Sequence, residues 1–252
     1  MSNNFAINNK TDNLIFIVNK ELDEKMGGLL EKNKGIRRAL LYRIFPFKEI
    51  DTSDLIKKAY EEYYGEDVPR GSDTIFNAFI PFRDFCISRL KELSKSNRYS
   101  VYYPFEGSRL KNDLNQLIYL YLDDIFNNYG ELRKLFEGYF ELMYSFSNFM
   151  PVPIGFNGNK NTKGKGTYDL NKDYPSMYLK NLKDNKSGIY KREEMLEWLE
   201  EKMNLNSKYK INDMYSLQPP YGLKEYFDDS KLISLMKYIE KATELISCRF
   251  EG

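Results

Sequence analysis

Apolar residues recur at helical spacing along most of this chain. From Asp54 to Tyr64, Leu55, Ile56, Ala59, Tyr60 and Tyr63 share one face. Asp51, Thr52 and Ser53 offer N-caps there, and Gly65 offers a stop. Gly71-Ser72-Asp73-Thr74 reads as another helix start, interrupted by Pro81. From Pro81 onward, Phe82, Phe85, Cys86, Leu90 and Leu93 form a clean stripe. Two further helices are expected on either side of Gly130. The first carries Leu110, Leu114, Leu117, Ile118, Tyr121, Ile125 and Phe126, and the second Leu132, Leu135, Phe136, Tyr139, Phe140 and Met143. Their spacing and short connection suggest an antiparallel helical hairpin. Short helices are expected at Pro175–Leu182 and Arg192–Met203. A last one, capped by Ser230, has the stripe Leu232, Leu235, Met236, Ile239 and Ile246.

Strand signals are fewer. Asn13–Val18 and Tyr99–Tyr103 have β-forming composition between polar or proline boundaries. Phe146–Phe156 holds two prolines two residues apart, so it is expected to be extended, apolar and buried rather than helical. Asn157–Gly166 is an exposed loop by composition. The fold class that follows is mainly α, a single helical globular domain over 1–252 with a few short strands. Its one candidate sub-boundary is the lysine/glycine loop 157–166. The alternative is α+β, with a small antiparallel sheet built from Asn13–Val18 and Tyr99–Tyr103.

Composition supports a packed domain. The chain has 252 residues, 42% apolar and 15% aromatic, enough for a core without disulfide or metal staples. Net charge is +1, so no global attraction to nucleic acid or an anionic membrane is expected. Locally, residues 151–190 hold seven Lys and three Asp, a balance of +4. Cys86 and Cys248 are isolated thiols, which fit a reducing cytoplasm better than a disulfide framework. The polar start, Met1-Ser2-Asn3-Asn4, lacks a signal-peptide pattern, and no apolar run is long enough for a membrane span. Lysine outnumbers arginine 27 to 11, a bias of AT-rich coding that points to a bacterium or its phage.

Candidate chemistry is bounded first by the absence of histidine. Ser-His-Asp and Cys-His nucleophiles are excluded, and no zinc, haem or iron–sulfur centre is expected. Carboxylate pairs occur at Asp123-Asp124, Asp228-Asp229 and Asp169/Asp173. Such pairs can hold Mg²⁺ or work as acid and base, and they serve as helix caps and polar faces just as readily. The loop Asn157–Gly166 interleaves Lys160, Lys163 and Lys165 with Gly158, Gly164 and Gly166. Freed backbone N–H groups and ammonium groups can cradle phosphate. The spacing is not that of a P-loop, because Lys165 is followed by Gly166 and not by Ser or Thr. Tyr174, Tyr178 and Tyr190 lie in the same basic stretch, where aromatic rings beside lysines suit base stacking. Cys86 and Trp198 fall on apolar faces and are expected in the core.

Two stretches carry a likeness. Gly71-Ser72-Asp73-Thr74-Ile75-Phe76-Asn77 resembles a Gly-Asp-Thr-x-Asn segment. Asn148-Phe149-Met150-Pro151-Val152-Pro153, followed by Phe156-Asn157, resembles an Asn-Phe-x-Pro-x-Pro segment. In this order the two resemble a group of uncharacterised bacterial proteins of about this length, over residues 70–200. This chain departs from the group in the Ser inserted between Gly71 and Asp73. It also has Lys160 in place of Arg, and Pro175-Ser176 after Lys172-Asp173-Tyr174. The likeness implies no activity, but it singles out Asp73, Asn77, Asn148, Asn157 and Asp173, residue types that also favour caps and turns.

Two functional expectations follow. The first is a cytosolic, non-catalytic binding or interaction protein with no membrane role. Its ligand contacts would be Asn148, Asn157, Lys160, Lys163 and Lys165, facing a protein partner or a phosphate-bearing ligand. The alternative is a histidine-free enzyme acting on a nucleotide or nucleic acid. There Asp73 and Asp173 would be the catalytic candidates, and Mg²⁺ the metal left open.

Overall fold

A computed structural model describes residues 24, 27–44, 54–64, 71–95, 110–152, 183–184, 192–202, 204 and 227–248. In chain order these form α1 (Leu29–Lys32), α2 (Gly35–Ile44), α3 (Asp54–Tyr64), β1 (Gly71–Thr74) and α4 (Phe79–Lys95). Next come α5 (Leu110–Leu120), α6 (Leu122–Ile125) and α7 (Gly130–Met143). A 3₁₀ turn (Phe146–Asn148) leads into β2 (Phe149–Val152). Helix α8 (Arg192–Glu197) continues as a π-wound turn (Trp198–Lys202), and α9 is Asp229–Ser247. The fold is mainly α with a two-stranded antiparallel sheet. The strands expected at Asn13–Val18 and Tyr99–Tyr103, and the helix at Pro175–Leu182, lie outside the described residues.

Three local expectations are corrected. Gly71–Thr74 is a strand, not a helix start. Ser, Asp and Thr favour helix caps and turns, and pairing with β2 overrides that preference here. Helix α4 begins instead at Phe79, where Asn77 Oδ1 accepts the Phe79 N–H at 3.0 Å. Pro81 therefore sits in the first turn, where its missing N–H costs nothing, and it causes no break. Second, the helix expected to run to Phe126 is divided at Tyr121 into α5 and α6. Third, α5 and α7 do not pack along each other as a hairpin. Helix α5 packs chiefly on α2, and α7 packs on both α9 and α2.

That role for α2 explains its unusual start. Gly35 has φ +49, and a Cβ there would lie 3.1 Å from the Glu137 backbone Cα, so a side chain does not fit. The first two N–H groups of α2 are capped from α7. Gly35 N–H donates to Glu141, and Ile36 N–H donates to Glu137 Oε2 at 2.8 Å. Carboxylates at a helix N-terminus also suit its dipole. Arg38 pairs with Glu141, and Arg133 pairs with Glu137 and with Asp123. Asp123 also pairs with Arg37 at 2.8 Å.

The core forms two clusters. In the larger, Phe82 packs edge-on to Phe136 and Phe140 at 5.0 and 4.8 Å, and Phe85 stacks on Phe136 at 6.0 Å. Each such pair adds about 0.5–1.5 kcal/mol beyond its buried area. In the smaller, Ile56, Ala59 and Tyr60 of α3 cover Phe146 and Phe149. The sheet lies between the two: Met150 and Val152 belong to the larger cluster and Phe149 to the smaller.

Candidate functional site

The two segments singled out by the likeness, seventy-odd residues apart, pair with each other. The register is Gly71↔Val152, Ser72↔Pro151, Asp73↔Met150 and Thr74↔Phe149. Just beyond it, the Ile75 N–H donates to the Asn148 carbonyl at 2.7 Å. Hydrogen-bonded pairs alternate along an antiparallel ladder, so Ser72↔Pro151 is a non-hydrogen-bonded pair. Pro151 can occupy a fully buried strand because its missing N–H would point away from β1. Its outward carbonyl accepts the indole N–H of Trp198 at 2.9 Å.

Asn148 is 0% exposed and holds the site's corner. Its Oδ1 accepts the Phe76 N–H at 2.9 Å, and its Nδ2 donates to the Phe76 and Met143 carbonyls at 2.8 and 2.9 Å. Both amide hydrogens are thus taken up by backbone, which argues against Asn148 as a ligand contact. The Tyr139 hydroxyl completes the corner. It accepts from Ala78 N–H at 2.9 Å and donates to the Phe76 carbonyl at 3.3 Å. The three N–H groups of Phe76, Ala78 and Phe79 at the head of α4 therefore end on side chains of Asn148, Tyr139 and Asn77.

Asp73 is 6% exposed. Side chains alternate along a strand, and Asp73 lies opposite Met150, so its carboxylate shares the face turned to the larger cluster. One oxygen accepts the N–H of Thr74 at 2.9 Å. Ser72, on the other face, shares a 2.7 Å hydrogen bond with Tyr60 of α3. Asn157, Lys160, Lys163, Lys165 and Asp173 lie outside the described residues. Of the five polar residues carried by the likeness, Asp73, Asn77 and Asn148 are brought together at one strand–helix junction.

Asp169, Tyr174, Tyr178 and Tyr190 also lie outside the described residues. The other candidates have structural surroundings. Asp123 bridges Arg37 and Arg133, and the Arg133 hydrogen bond leads the effects that lower its pKa. Asp228 caps α9, with its side chain accepting the Lys231 N–H. Cys86 is fully buried, and burial pushes its thiol well above its ordinary value, with the charge of Asp84 adding to the effect. Among the described residues, no three His, Cys, Asp or Glu side chains gather as a metal site. No described helix is long and apolar enough to cross a membrane. Sequence reasoning missed Tyr139 and the polar use of Trp198. Each sits on an apolar stripe, and only a buried hydroxyl or indole N–H, which needs a partner, hints at more.

No family model, curated protein or solved structure matches this chain.

Proposed function

We propose that this chain is a non-catalytic binding protein of a bacterial or phage cytoplasm, recognising an anionic partner through the segment that leaves β2. Lys160, Lys163 and Lys165 supply the charge of that contact, and Asn157 a hydrogen-bonding side chain. The observation that carries the reading is the use of Asn148. The polar residue at the root of the segment is taken up by backbone, as is Asn77, so their role is to build the junction. Strand β2 is buried throughout, which makes it a firm anchor for the chain beyond Val152. The local balance of +4 over residues 151–190 sets the sign of the partner.

The test is titration with a polyanion, a heparin oligosaccharide, followed by the fluorescence of Trp198, the sole tryptophan. Wild-type binding should weaken with salt. Replacing Lys160, Lys163 and Lys165 with Ala should weaken it at least tenfold. Equal binding by the triple variant would remove the loop as the contact.

A second reading has its own observation, a carboxylate that is almost wholly buried. Asp73, on the core face of a strand, suits a histidine-free, Mg²⁺-dependent enzyme acting on a nucleotide or nucleic acid, since buried ionisable groups are costly and gather at functional sites. Here Asp73→Asn should abolish Mg²⁺-dependent nucleotide hydrolysis while the melting temperature stays within a few degrees. Absence of such turnover in the wild-type protein would dismiss this reading.

A further inference from the structure

We draw no further inference here: the strongest candidate, the acidic segment Glu193–Glu201 that Trp198 fastens beside β2, is a cluster of carboxylates with no second observation to show what it would hold.

Discussion

Asn148 shows what a single residue does in this fold. Three hydrogen bonds from one amide tie the end of α7, the start of β2 and the approach to α4. Replacement by Ala would strand buried backbone groups of Phe76 and Met143, each worth about 1–3 kcal/mol when unsatisfied. Tyr139 still serves the Phe76 carbonyl, so the expected loss for Asn148→Ala is about 3 kcal/mol, read as a lower urea midpoint at unchanged slope. A loss below about 1 kcal/mol would mean that water replaces the amide at no cost. Residue type made Asn148 legible as a turn or cap former. Its main partner, Phe76, lies 72 positions away, and no local pattern records that contact. Tyr139 was legible only as a core position. Its hydroxyl reaches Ala78 because α7 packs beside the head of α4, a fact of assembly.

At the scale of elements, apolar spacing anticipated α3 to the residue and most of α4, α7 and α9. It erred where a cap or a partner decides. Ser230 is the expected cap of α9, yet Asp228 takes that place and Ser230 donates to it at 2.6 Å. The Ser230 hydrogen bond, followed by the Lys231 N–H, holds the Asp228 carboxyl below its ordinary 3.8. A lowered carboxyl pKa contributes stability that is complete above the unfolded value and lost as pH falls through the folded one. The start of α9 should therefore weaken below about pH 3.8. Asn is an equally good cap and does not titrate in this range. The gap in melting temperature between wild type and Asp228→Asn should then change between pH 7 and pH 3, with the wild type losing more. Parallel curves would show that the cap charge contributes nothing. The strand at Gly71–Thr74 is another misreading. Its residues have weak strand propensity, and it is extended because β2 and Tyr60 hold it so.

Across the whole molecule, α2 supports α5 and α7, α9 covers α7, and the small sheet divides two apolar clusters. The two thiols report on that packing. Cys86 is inside the larger cluster and Cys248 is exposed at the end of α9. A thiol reagent at pH 8 should titrate one cysteine rapidly in the native protein and both in denaturant, since thiolate formation and access govern the rate. Rapid reaction of both in the native state would show that the cluster around α4 is open. The sequence by itself determined the helical class, the lack of histidine, the basic stretch after residue 152 and, of the extended course expected over Phe146–Phe156, the buried part Phe149–Val152. These are properties of composition and of spacing along one element. Only the tertiary structure decided that β1 exists, that it pairs with β2, that α2 is capped from α7, and that Asp73, Asn77 and Asn148 meet at one junction. Each of these depends on groups distant in the chain satisfying one another's hydrogen bonds in a dry interior, and periodicity within a single segment does not encode which partner will arrive.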